Sequence, residues 1–459
     1  MTESSTSGDL LTTLRETVAR LAPGDRLPSS RELIRRHNVS PVTVSRAIAQ
    51  LSAEGVVVTR PGSGTYVSVR TRAADAPDTG WQTVALADRA VDTGSLGPPP
   101  EGTIALDGGY LHRSLQPTRA LAAALARAAR RPDAWDRAPS NGIAALRAIF
   151  AGMAGEVSPD EVMITAGGQS SLSMAFRGIV APGAPVLVES PTYPGALAAA
   201  RAAGLRPVPV PVDGDGVRPD LLADAFAMTG ARLFYCQPTY QNPAGFVLST
   251  DRRRQVVEVA RAAGAFVLED DFARFLSHSS TTPRPLLADD RDGTVVYLTS
   301  LTKPAAPSLR IGALIARGPV LERLRAVRLV DDFFVARPLQ EAALELLSSP
   351  AWDRHVRTLA TELRDRRQAL AAAIAAELPD WSITAMPAGG LHLWVSLPAG
   401  ADCQAVADAA RQRGVAVSAG RRFFPTEPPA AHLRLGFAAT ATRADLATAV
   451  RQLSSVDPT

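Results

Sequence analysis

From Ile104 onward, short apolar runs alternate with Ala-rich stretches of helical character. Val162-Met163-Ile164, Val186-Leu187-Val188, Leu233-Phe234-Tyr235, Phe266-Val267-Leu268 and Val295-Val296-Tyr297-Leu298 are each followed by a polar or glycine-containing segment. Runs of this kind read as strands buried on both faces. Their alternation with helices confines this part of the chain to an α/β sheet built on parallel strands. Ligands of such sheets collect beyond the carboxyl ends of the strands, so the polar segments after these runs are where chemistry is expected.

The 459 residues give about three domains as a starting point. With 46% hydrophobic and 20% charged residues, the balance is that of a globular protein with enough apolar material for a large core. No apolar run is long enough to span a bilayer. The opening MTESSTSGDL lacks the basic-then-apolar order of a secretory signal. Cys236 and Cys403 are far apart and suggest no disulfide framework. A cytosolic protein with no membrane partner is the simplest expectation.

The net charge of +4 is unevenly spread. Residues 10–70 hold nine arginines and four acids, so this segment carries the positive excess and the remainder is close to neutral. A basic N-terminal module on a neutral body fits a DNA-facing head, although a solvated Arg-rich surface is the plainer alternative. The pattern within the segment is more specific. Residues 9–21 carry Leu10, Leu11, Leu14, Val18 and Leu21 on one helical face. Ser29 and Glu32 have capping-box spacing and start a second helix. Ser40 caps a third, with Pro41 in its first position and Val44, Ala47, Ile48 and Leu51 turned inward. Gly55 ends it. Two short strands, Val56-Val57-Val58-Thr59 and Thr65-Tyr66-Val67-Ser68-Val69, flank a Pro61-Gly62-Ser63-Gly64 turn. Three helices and a hairpin make a winged helix-turn-helix. Residues 71–102, rich in Ala, Asp, Gly and Pro, read as a linker.

Of 49 basic residues, one is a lysine, Lys303. Arginine replaces lysine in ion pairs but not in imine chemistry, because guanidinium stays protonated. A lone lysine is therefore a candidate for chemistry, and its neighbours decide the matter. Thr165-Ala166-Gly167-Gly168-Gln169-Ser170-Ser171 precedes a helix predicted over 172–180 and frees backbone N–H groups for a phosphate. Tyr193 stands in a Pro-rich strand end, and Asn242 offers an amide on an Asn-Pro turn. Asp270 lies directly after an apolar run, where a buried carboxylate needs a cationic partner. Thr299-Ser300-Leu301-Thr302-Lys303 follows the fifth run, with Arg310 seven residues on. Arg434 sits in an apolar strand, where it needs an anion. Each feature alone has an ordinary reading as a turn, a cap or a core residue.

In order, however, LPSSREL, VSPVTVSRAIAQLSAEGVV and RPGSGTYV resemble the DNA-binding domain of the GntR family. The segments from Ile104 to near the C-terminus resemble a fold-type I, class I aminotransferase. The whole resembles the MocR subgroup of GntR regulators. The fold this resemblance implies is a winged helix-turn-helix over 1–70, a linker over 71–102, and an α/β aminotransferase-like domain over 103–459 with a smaller C-terminal part. It implies pyridoxal 5′-phosphate bound as an aldimine on Lys303, with Asp270 on the pyridine nitrogen, Asn242 on the phenolic oxygen and Tyr193 stacked on the ring. Gly168, Gln169, Ser300, Thr302 and Arg310 hold the phosphate in this reading, and Arg434 takes the carboxylate of an amino-acid-like ligand. Arg31, Thr43, Arg46, Arg60, Gly62 and Gly64 face double-stranded DNA. A head-to-tail homodimer and control of vitamin B6, amino-acid or amine metabolism are also implied. The alternative is a working aminotransferase with an appended head. Four positions depart from the pattern, the mildest being Thr302 in place of Ser. Pro41 stands where relatives carry Arg. Phe272 replaces a Tyr whose hydroxyl tunes the ring, so the aldimine pKa should be raised. Arg137 lies near the place of a Tyr that reaches the partner's phosphate.

Overall fold

A computed structural model describes residues 3–60, 63–68, 79, 81–82, 102–155, 157–279 and 281–456. The chain forms two compact units, Met1–Asp92 and Thr93–Thr459. The division falls within the predicted linker, most of which lies outside the described residues.

The first unit contains α1 (Glu3–Arg20), α2 (Ser30–His37), α3 (Pro41–Ala53) and the antiparallel pair β1 (Val57–Arg60) and β2 (Gly64–Val67). The caps act where the sequence placed them. Ser29 accepts from Glu32 N, and Ser40 accepts from Thr43 N with Pro41 in the first turn. Leu10, Leu14 and Val18 of α1 meet Leu33 of α2 and Val44, Ala47 and Leu51 of α3 in one core. Val57 and Val67 close this core from the hairpin, fixing which faces of α3 remain outside.

The second unit is built on an eight-stranded sheet of order β4-β11-β10-β9-β8-β5-β6-β7. Its strands are β4 (Val162–Thr165), β5 (Pro185–Ser190), β6 (Arg206–Asp213), β7 (Gly216–Val217), β8 (Leu233–Cys236), β9 (Phe266–Asp271), β10 (Val295–Ser300) and β11 (Gly312–Ile315). The expected parallel core is present in β6-β5-β8-β9-β10. One correction concerns β11, which runs antiparallel to both neighbours and separates β4 from the rest. The tight return at Arg310, whose φ is +50°, reverses the chain immediately after the lysine segment.

Both sheet faces are covered, and strand alternation sorts the side chains. Val162 and Ile164 enter one core with α4-side and α5 residues, whereas Met163 enters the other with Leu172 and Phe176. Here α4 is Thr118–Ala128, α5 is Ala144–Ala154 and α6 is Gly168–Ile179. The helix predicted to begin at residue 172 thus begins four residues earlier. Gly167, at φ +92°, turns the chain so that the polar Gly-Gln-Ser-Ser segment becomes the first turn of α6. The short strands β3 (Ile104–Ala105) and β14 (Val415–Ala416) pair in parallel, and a smaller antiparallel sheet packs against C-terminal helices, its strands in the order β12 (Ser382–Ile383), β13 (His392–Ser396), β16 (His432–Gly436) and β15 (Ser418–Ala419). In this sheet, β13 pairs with β16, placing Trp394 opposite Arg434. Among the described residues, no helix is long and apolar enough to cross a membrane.

Candidate cofactor site and DNA-facing head

The strand ends of the large sheet bring the chemical groups together. Asp270, at the end of β9, is only 3% exposed. Its Oδ2 accepts from the Tyr235 hydroxyl at 2.7 Å and from Gln237 Nε2 at 2.8 Å. Among the described residues, Oδ1 accepts no hydrogen bond. Burial pushes the carboxyl up to about 6, opposed by those two bonds and by the charge of Lys303. Gln237 also accepts from Asn242 N at 3.1 Å through Oε1, so one side chain ties the carboxylate to the Asn-Pro turn.

Lys303 follows β10 in a tight turn and is half-buried. Its Nζ donates to Gly109 O at 2.8 Å and lies 3.7 Å from the centre of the Tyr110 ring. Burial lowers its pKa to about 7, and the charges of Arg434 and Arg310 act in the same direction against Asp270. The amine is therefore largely neutral at a pH where an ordinary lysine is protonated, which is the state a carbonyl requires.

An anion-shaped cradle lies beside it. Gly167 caps α6 without a side chain, and a Cβ there would stand 3.1 Å from Arg310 Nη2 and from Thr302 Cγ2. Arg310 Nη2 donates to Ala166 O at 2.7 Å. The Ser300 and Thr302 hydroxyls are 2.8 Å apart, and Thr302 N donates to Ser300 Oγ. The structure thus gathers Gly168, Ser300, Thr302 and Arg310 at the amino end of α6, where N–H groups and dipole favour an anion. Gln169, also in the first turn, accepts from the Tyr193 hydroxyl at 3.2 Å and donates to Gly195 O at 2.8 Å.

Arg434 reaches the same site from the smaller sheet. Its Nη1 donates to Asn242 Oδ1 at 3.2 Å and Nη2 to Asp107 O at 2.6 Å, and its guanidinium lies 5.0 Å from the Phe423 ring centre. Its Nε is buried without a partner. Burial and the neighbouring Arg422 lower its pKa to about 10.

Several groups were missed at the sequence level. Tyr235 reads as a member of an apolar strand, yet its hydroxyl serves Asp270. Gln237, two residues on, carried no motif. Glu189 is buried, accepts from Gln237 N and Gln241 Nε2, and is pushed up to about 8 by burial. Phe272 is half-buried against the C-terminal core. Arg137 is exposed.

In the first unit, Arg31, Arg46 and Arg60 are exposed. The Arg60 guanidinium lies 5.0 Å from the Tyr66 ring centre, and Gly64 adopts φ +122°. Thr43 is half-buried and its hydroxyl lies 2.8 Å from Ser40 Oγ. Gly62 lies outside the described residues.

Residues 107–453 match the family described as aminotransferase class I and II. The chain belongs to this family. Residues 10–67 match the bacterial regulatory proteins of the gntR family, so this aminotransferase-family chain carries a GntR head. It is similar to the uncharacterized HTH-type transcriptional regulator YisV of Bacillus subtilis, 28% identical over 387 residues, covering 82% of this chain and 80% of the relative. It is 30% identical over 357 residues to a 2-aminoadipate transaminase of Thermus thermophilus, covering 77% and 89%. Among solved structures, the α-aminoadipate aminotransferase LysN of Thermus thermophilus, complexed with N-(5′-phosphopyridoxyl)-L-leucine, aligns with a TM-score of 0.75. Identity there is 29%, covering 82% of this chain and 97% of that one. The pairing of a GntR head with an aminotransferase body is the MocR architecture, that of a transcription regulator with an aminotransferase-like domain.

The cofactor implied by this fold and family is pyridoxal 5′-phosphate. The residues present fit it. The buried Asp270 is hydrogen-bonded through Oδ2 and not Oδ1 among the described residues, the amine of the lone lysine has a lowered pKa, and a side-chain-free helix start faces two hydroxyls and a guanidinium.

Proposed function

We propose that this protein regulates transcription by binding duplex DNA through residues 1–70 and sensing pyridoxal 5′-phosphate, or an amino-acid-like effector, through residues 103–459. Residues 71–102 join the two. The observation that carries this reading is the convergence of the single lysine, Lys303, with Asp270 and the α6 cradle in a chain that also carries a GntR head. When bound, the cofactor supplies an electron-withdrawing ring bearing an aldehyde.

The chain's own residues then divide the work. Lys303 Nζ is the point of covalent attachment, and its lowered pKa keeps the amine available. Asp270 offers Oδ1 to the pyridine nitrogen while Tyr235 and Gln237 hold Oδ2 in place. Asn242 meets the phenolic oxygen, and Tyr193 lies against the ring. Gly168, Gln169, Ser300, Thr302 and Arg310 hold the phosphate. Arg434, with its unpartnered Nε, binds an effector carboxylate. Arg31, Thr43, Arg46, Arg60, Gly62 and Gly64 belong to the DNA face. Two copies arranged head to tail present two heads to two half-sites. Genes of vitamin B6, amino-acid or amine metabolism are the targets this cofactor chemistry favours.

The test is binding of the full-length protein to the DNA upstream of its own gene, titrated with pyridoxal 5′-phosphate. A change in affinity or footprint supports sensing through Lys303, and Lys303→Ala should abolish that change. Equal binding at all cofactor concentrations removes the cofactor as signal and shifts the role to an amino-acid-like ligand or to transamination.

A further inference from the structure

On the strip of α3 directly opposite the head's core, the exposed residues are apolar except for Arg46. Helix α3 buries Val44, Ala47 and Leu51 in the head's core, with Ile48 packed against it. The opposite side of a helix with this inward face carries Val42, Arg46 and Ala49, spaced i, i+4 and i+7. All three are exposed, and Val42 is 60% exposed in the first turn. An apolar side chain left in water beside an exposed guanidinium is not accounted for by the head's own packing.

The neighbouring polar residue does not compete for the same role. Thr43 points to the flank, where its hydroxyl lies 2.8 Å from Ser40 Oγ and its N–H is taken by the Ser40 cap. Pro41 has no N–H to offer. On the side of α3 opposite its core face, the first turn presents Val42, with Thr43 on one flank and Ser45 on the other. The flanking charge is positive: Arg31, Arg35 and Arg36 of α2, Arg46 and Arg60 are exposed. Helix-turn-helix proteins place the first turns of the second helix against base edges and use peripheral basic groups for phosphates. The base edge with an apolar group in the major groove is thymine, through its 5-methyl.

We propose that Val42 reads a thymine 5-methyl group in each half-site, next to a base pair contacted by Arg46. This rests on the DNA-binding reading of the head. It makes sequence preference at that position a matter of one methyl contact rather than a hydrogen bond, while the α2 arginines set overall affinity and its salt dependence.

The experiment uses the full-length protein. Preferred duplexes are selected from random-sequence DNA, and each thymine of the selected site is then replaced singly by deoxyuridine, which removes only the methyl group. One thymine per half-site should prove sensitive, with affinity falling about fourfold, the equivalent of one buried carbon. Val42→Ala should bind the thymine and deoxyuridine duplexes equally while keeping its affinity for non-selected DNA and its salt dependence. The proposal is overturned if no thymine shows methyl sensitivity, if selection returns no preferred sequence, or if Val42→Ala retains the full methyl effect. Failure of the wild-type protein to bind any duplex is a different result, and it defeats the DNA-binding reading itself.

Discussion

Lys303 shows how much a single residue depends on what surrounds it. Burial lowers its pKa to about 7, and Arg434 and Arg310 reinforce the effect, whereas Asp270 opposes it. The neutral amine is the form that attacks an aldehyde, so uptake of pyridoxal 5′-phosphate by the cofactor-free protein should rise through neutral pH and then level off. An ordinary lysine, titrating near 10.4, would give a rate that keeps climbing about tenfold per unit through pH 8–10. Stopped-flow absorbance between pH 6.5 and 10 distinguishes the two, and a steady rise from pH 8 to 10 would show that the site does not depress the amine. Part of this site was legible in the sequence. A lone lysine among arginines, after an apolar run and ahead of Arg310, identified itself by chemistry that arginine cannot perform. The support beneath Asp270 was not legible. Tyr235 has the same place in the pattern as any aromatic in a buried strand, and only the pairing of β8 with β9 brings its hydroxyl to the carboxylate. The bond from Arg434 to Asn242 spans 192 residues of chain and leaves no local trace.

At the scale of elements, the start of α6 matters most. The apolar period that announces a helix begins at Leu172, so the sequence reading starts the helix there. The true first turn is the polar Gly168–Ser171 segment, whose leading N–H groups have no preceding helical turn to bond to. The caps of α2 and α3 were readable because Ser29 and Ser40 act on N–H groups three residues away. The antiparallel course of β11 was not, since a four-residue apolar strand has no directional signature. Gly167 tests the importance of the α6 start. Its φ of +92° disfavours any L side chain, and a Cβ would crowd Arg310 Nη2 and Thr302 Cγ2 at 3.1 Å. Gly167→Ala should weaken pyridoxal 5′-phosphate binding by about tenfold or more, through roughly 1–2 kcal/mol of strain and a displaced Arg310. Gly183→Ala is the control. Its φ is +84° with open space around the new Cβ, so it should lose about 1 kcal/mol of stability without a change in cofactor affinity. Equal cofactor affinity in Gly167→Ala and wild type, by equilibrium dialysis, would mean that the cradle is not built around this glycine.

For the whole molecule, the two units have separate cores: the head is closed by its own apolar cluster, and the body holds the large and small sheets in others. With each unit holding its own core, the regulation proposed above is a coupling free energy between a DNA site and a cofactor site. Such coupling is reciprocal. If pyridoxal 5′-phosphate changes the dissociation constant for DNA by some factor, saturating DNA must change the dissociation constant for the cofactor by the same factor. A typical coupling of about 1–3 kcal/mol corresponds to a 5- to 150-fold shift, well within the range of both titrations. The expected outcome is equal factors, measured as DNA affinity with and without cofactor and as cofactor affinity with and without the selected duplex. The Gly167→Ala protein should shift the cofactor curve along its concentration axis and leave the factor reached at saturation unchanged. A strong effect of cofactor on DNA binding with no effect of DNA on cofactor binding would break the thermodynamic cycle. The response would then have to come from a process outside it, such as a change in assembly state or consumption of the cofactor by turnover.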